Sequence, residues 1–175
     1  MSNSLEAVVA VTLDQSAEVA WQRLADFSLA HNYVPGLTGT EIVSAQSSGP
    51  GAHRRVYTGD KYLEETVSDW REGEGYTIAL HKGARPMPPF KAAEFNYQLA
   101  ALGEAQTRVV LSLRFVMPLG GFGKLLGRSL LLPVMNKQLV GVAAGMKHYY
   151  ETGSPASDED RKRLADAVDI GAASV

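Results

Sequence analysis

Cysteine is absent from the chain, which excludes disulfides, thiolate metal sites and a cysteine nucleophile. A dominant charge is missing too: 17 basic against 19 acidic side chains give a formal net charge of -2 at pH 7, with no global field to hold nucleic acid. Long hydrophobic runs are lacking. In the apolar C-terminal stretch the longest uncharged run, Gln138–Met146, has nine residues, too short for stable membrane insertion. His31, His53, His81 and His148 show no metal-ligand spacing, and neither a His-Glu-x-x-His motif nor a Gly-x-Ser-x-Gly elbow occurs. Neither a metal nor a cofactor is expected. Met1–Ala10 holds no basic segment leading into an apolar one, so no secretory leader is expected and the reading is cytoplasmic.

What the chain does have is a nearly uncharged segment, Gly121–Tyr150, with no Asp or Glu and only Lys124, Arg128, Lys137 and Lys147. At 100° per residue, Leu131, Leu132, Met135, Leu139, Val142, Met146 and Tyr149 or Tyr150 fall on one stripe of a helix. That face must be buried, either closing a solid core or walling a cavity whose adaptable lining includes Met135 and Met146. Pro133 clashes with the Ser129 carbonyl and removes its donor, which predicts a kink or two helices. Gly121–Leu132 then becomes a candidate gate and Pro133–Tyr150 a fixed lining. The Gly-rich start, Gly120–Gly127, lacks the Gly-Lys-Ser/Thr ending of a phosphate loop, so its glycines serve the turn into the helix. Lys124 and Arg128 beside it are either a solvated basic edge or a weak contact for an anionic headgroup.

Upstream, Leu5–Leu13 reads as a strand, and Asp14 or Ser16 caps a helix through Ala17–Phe27, with Val19, Leu24 and Phe27 as core candidates beside Trp21. A second short turn runs over Ser28–Tyr33 and stops at Pro35-Gly36. The period then becomes two. Thr40–Gln46, Ala52–Thr58, Lys61–Trp70, Gly75–Lys82, Ala92–Ala101 and Gln106–Met117 give six more strands of an antiparallel meander. Alternation places Leu63, Glu65, Val67 and Asp69 on one face, with Tyr76, Ile78 and Leu80 as neighbours and Leu111, Leu113 and Phe115 facing the long helix. Tyr97 also points inward, whereas His81 and Asn96 point to solvent. The proline-rich stretch Gly83–Phe90 predicts a mobile or rim loop. The domain is expected to span residues 1–153, with 154–175 a polar, flexible tail carrying at most one helical turn at Asp160–Val168.

The order of elements, with the phrases AEVAWQRLADF (17–27), YVPGL (33–37), GPGAHR (49–54), LEETVSDW (63–70) and GMKHYYE (145–151), resembles the START-like, Bet v 1-like helix-grip superfamily, also called SRPBCC. The likeness covers Leu5–Glu151 and points to its polyketide cyclase/dehydratase-like branch. It implies an α+β fold: a seven-stranded curved antiparallel sheet around a long C-terminal helix, with two short helices between the first two strands. It also implies a cavity between sheet and helix that takes lipid-like, polyketide-like or aromatic molecules.

Three functions follow from these readings. The first is binding of a hydrophobic small-molecule ligand by a monomer or homodimer. Arg54, Leu63, Glu65, Val67, Tyr76, Ile78, Tyr97, Leu111, Leu113, Phe115, Leu131, Met135, Leu139, Val142 and Met146 would line the site. Glu65, with Arg54 as a partner on the adjacent strand, is either an anchor for a polar ligand group or half of a structural ion pair. The second function is a cyclase or dehydratase in which Glu65, Tyr76 or Tyr97 moves protons. The third is a non-catalytic assembly partner, contacted through Gly120–Leu132 or Pro86–Phe90.

Overall fold

A computed structural model describes residues 4–171. Strand β1 (Ser4–Leu13) leads into helix α1 (Ala17–Ala25), whose N-cap Ser16 accepts from the Val19 amide at 3.3 Å. A 3₁₀ turn over Ala30–Asn32 follows. Strands β2 (Gly39–Ile42), β3 (His53–Thr58), β4 (Lys61–Arg71) and β5 (Gly75–Lys82) form the meander, followed by the two-residue β6 (Arg85–Pro86), β7 (Ala92–Ala101) and β8 (Thr107–Val116). The sheet runs β2-β3-β4-β5-β7-β8-β1, every pair antiparallel, with β6 paired to β5.

A continuous helical run then covers Gly120–Thr152 as α2 (Gly120–Leu126), a π-helical turn (Gly127–Leu131) and α3 (Leu132–Thr152). The expected break at Pro133 takes this form. Pro133 sits in the first turn of α3, just after a π-helical turn in which the Leu132 amide reaches five residues back to Gly127 and so accommodates the residue that lacks an N–H. Leu139, Val142, Ala143, Met146 and Tyr150 bury one face of α3, mainly against β1, while the C-terminal segment packs on the helix from another side. Small residues permit the close approach: a Cβ on Gly145 would lie 2.1 Å from the Tyr33 carbonyl oxygen. Arg23 of α1 donates to the carbonyls of Tyr149 and Tyr150, placing a cation at the negative end of α3.

Several expectations need correcting. Among the described residues the sheet has nine strands rather than seven, the additions being β6 and β9 (Val168–Ile170). The segment expected to be a flexible polar tail carries helix α4 (Asp158–Leu164), started by a Ser157–Asp160 capping box, and then β9, which pairs with Val9–Val11 of β1. The last four residues, 172–175, lie outside the described residues. Val19 is exposed, because α1 turns Ala20, Trp21 and Leu24 to the core instead. Asp69 is also exposed: a register shift between Val67 and Asp69 reverses the parity and brings Trp70 onto Tyr76, the rings stacked 5.4 Å apart. The loop Gly83–Phe90 is pinned at its end by Phe90, buried 4.9 Å from the Phe115 ring.

Candidate functional site

The sheet's inner face holds a charged pair. Arg54 on β3 and Glu65 on β4 are register partners, and the arginine Nε and Nη2 both lie 2.6 Å from Glu65 Oε2. Arg54 is 1% exposed, its Nη1 donates to the Phe27 carbonyl at 2.6 Å, and its guanidinium lies 3.8 Å from the centre of the Phe27 ring. Burial works against this cation, but Glu65, helped by Tyr76, Tyr33 and Tyr97, outweighs it and holds the Arg54 pKa above its ordinary value. The pair is therefore a fixed buried dipole.

Four tyrosines surround it. Tyr76 on β5 and Tyr97 on β7 are register partners with ring centres 5.0 Å apart, while Tyr33 from the turn after the 3₁₀ segment and Tyr150 from α3 meet edge to face at 5.9 Å. Burial raises all four phenol pKa values. In Tyr33 the charge of Arg54 and a hydrogen bond with Tyr97 offset part of the rise, whereas Tyr76, Tyr97 and Tyr150 stand well above the ordinary value. All four are proton-bearing donors at neutral pH. The Tyr76 hydroxyl lies near that of Tyr33, which helps raise its pKa, but neither it nor the Tyr150 hydroxyl is satisfied as a hydrogen-bond donor among the described residues. Buried hydroxyls almost always find a partner, and these two lie beside the Arg54–Glu65 pair, where an external polar atom could meet them.

The apolar residues expected in the site belong to the same core. Val67, Ile78, Leu111, Leu113, Phe115, Leu139, Val142 and Met146 are buried, and Leu63, Leu131 and Met135 are half-buried at its margin. Leu63 opposes Val56, two residues along the hairpin from the Arg54–Glu65 pair and on the same face. There, a cleft of about 260 Å³ is lined by Leu37, Val56, Thr58, Lys61, Tyr62 and Leu63. A larger depression of about 470 Å³ lies on the opposite face, lined by polar and charged side chains such as Glu6, Glu94, Asn96 and Arg114. Its chemistry does not suit an apolar ligand.

Sequence reasoning missed Phe27, Tyr33 and Tyr150 as members of the site. Period-two parity finds inward strand residues, but these three come from turns and a helix and converge only in the fold. His81 and Asn96 are half-buried rather than fully solvated: His81 Nε2 pairs with Thr66 Oγ1 and Asn96 donates to Thr77 Oγ1, both at 2.8 Å. Among the described residues, no cluster of His, Cys, Asp or Glu could hold a metal ion, and no helix is long and apolar enough to cross a membrane.

The fold is shared with known structures. The Zhui aromatase/cyclase from Streptomyces sp. R1128 superposes with a TM-score of 0.66 at 17% identity, covering 85% of this chain and 94% of that one. A START superfamily protein from Mycobacterium smegmatis gives 0.65 at 15% identity, covering 86% and 99%. Ara h 8.0201 gives 0.61 at 17%, covering 84% and 97%. No curated protein matches the sequence. At these identities the structures establish the helix-grip fold alone, but a family sequence profile matches residues 4–147. The chain therefore belongs to the family described as polyketide cyclase/dehydrase and lipid transport, within the START-like, Bet v 1-like superfamily.

Proposed function

We propose that this protein binds an apolar or amphipathic small molecule against the inner sheet face, with the ligand's polar end at Tyr76 and Tyr150. The carrying observation is the pair of buried, unpartnered hydroxyls next to the Arg54–Glu65 ion pair. A ligand oxygen accepting from these phenols would satisfy groups that are otherwise desolvated without return. Burial of the apolar remainder against Ile78, Leu111, Leu139 and Met146 contributes roughly 25 cal/mol per Å², less the cost of ordering. The cleft beside Leu63 supplies the entry, and the protein works in the cytoplasm as a monomer or homodimer. Family membership and the fold support this reading of the ligand class.

Native mass spectrometry of freshly purified protein, followed by solvent extraction, is expected to release a lipid-like or fused-ring molecule that rebinds to stripped protein. A protein that carries nothing, and binds no fatty acid, sterol or fused-ring aromatic, overturns the reading.

A second reading, a polyketide cyclase or dehydratase, rests on the same phenols, which stay protonated and so can donate to a bound carbonyl. Glu65, held by Arg54, orients rather than donates in this scheme. Glu65→Gln is expected to reduce turnover of a polyketide substrate while sparing affinity, and unchanged turnover removes Glu65 from the chemistry.

A further inference from the structure

One face of the helical run has no partner in the fold. Phe122, Leu125 and Leu130 are 64–65% exposed and Leu119 is 73% exposed, with Leu126 and Val134 also open to solvent. An apolar stripe repeated along one helical run, rather than scattered single residues, marks a contact surface. Leu119 adds a second sign: it sits at φ +66, the left-handed region that a leucine adopts only at a cost, and that strained backbone presents its side chain outward.

The charge around this face is of one sign. From Ala105 to Tyr150 the chain contains no Asp or Glu, and Lys124, Arg128 and Lys137 lie along the same helical run, Arg128 and Lys137 exposed. A second copy of the chain meeting this face across a two-fold axis would oppose cation to cation with no acid on the run itself to compensate, which disfavours self-association. An anionic lipid surface does: it accepts leucines and an aromatic ring into its acyl boundary while its headgroups meet the cations. We infer that the stripe Leu119–Val134 docks this protein peripherally on anionic membranes. The near-zero net charge of the whole chain, which argues against a global attraction, does not bear on a helical run that itself carries cations and no acid. The same run turns Leu131, Leu132 and Met135 to the core, so a single element touches both the lipid surface and the proposed ligand site. That link rests on the small-molecule reading; the docking itself does not.

The test is co-sedimentation of the full chain, stripped of small molecules by extraction, with vesicles of phosphatidylcholine alone and of phosphatidylcholine mixed with phosphatidylserine. Binding is expected to the mixed vesicles and to weaken with added salt. The exposed-residue variants Phe122→Ser/Leu125→Ser/Leu130→Ser and Arg128→Glu/Lys137→Glu should each lower partitioning by about ten-fold or more. Their circular dichroism and melting should match the parent, since none of these side chains is in the core. Absent binding to phosphatidylserine vesicles, or equal binding by parent and variants, overturns the inference. So does a stoichiometric protein complex lost in the same variants without vesicle binding, which would assign the face to a protein partner. Vesicle binding by a protein that takes up no small molecule leaves the inference standing and removes the ligand reading instead.

Discussion

Arg54 and Glu65 meet across β3 and β4 with two guanidinium nitrogens on a single carboxylate oxygen, Oε2, each at 2.6 Å. Removing one half leaves an uncompensated charge in the interior. Glu65→Leu is therefore expected to cost about 3–5 kcal/mol in urea denaturation, whereas the double change Arg54→Met/Glu65→Leu recovers most of that loss. Equal stability of the single variant and the parent would show that the charge is not buried in solution.

The unpartnered phenols behave differently. Tyr76→Phe and Tyr150→Phe remove hydroxyls that are unsatisfied among the described residues, so stability should hold or rise slightly. Ligand affinity should fall by about five- to ten-fold for each, the weight of one hydrogen bond. Isothermal titration with the extracted ligand reads this; a loss of stability with no loss of affinity would assign the hydroxyls to the fold.

Gly145→Ala inverts the usual helix rule. In an exposed helix interior the change stabilises by about 1 kcal/mol, but here the new Cβ would stand 2.1 Å from the Tyr33 carbonyl oxygen, which is backbone and cannot swing aside. A net destabilisation of about 3 kcal/mol is expected from thermal melts.

Glu64, one position from Glu65 and on the opposite face, gives a pH dependence. Its pKa is lowered first by the Gly83 amide, with burial opposing and Arg55 and His53 assisting. A depressed carboxylate contributes stability that is fully present above the ordinary glutamate value of 4.5 and is lost as pH falls through the lower folded value. Melting temperature should therefore drop below about pH 4.5, and Glu64→Gln should flatten that drop while leaving the curve near neutrality parallel to the parent. A drop of unchanged size in the variant would assign it to other groups.

Much of this fold is legible in the sequence. Alternation alone gives the inward parity of Arg54, Glu65, Tyr76, Tyr97 and the β8 residues, because burial on one face forces a period of two. It fails at Asp69, where the bulge after Val67 depends on pairing with β5 rather than on any local preference. Tyr33 escapes because its turn segment carries no parity that points into a sheet, and Tyr150, though on the buried helical stripe, is not told apart there from Tyr149 or given a place beside the ion pair. The C-terminal segment escapes because its composition is polar. Its order comes from one short capping signal at Ser157 and from hydrogen-bonding groups that β1 offers and no window of sequence reveals.

That C-terminal addition changes what the sheet exposes to other chains. Without β9, the outermost strand on that side would be the ten-residue β1, whose alternating valines and free backbone groups form a template for strand addition. With it, Val9–Val11 at the middle of β1 are paired, and the opposite edge of the sheet is the four-residue β2. The part of the molecule least like a core in composition thus covers the middle of an otherwise open edge, and a protein shortened before Ser157 would expose that edge and also lose Val168 and the packing of Leu164 from its core.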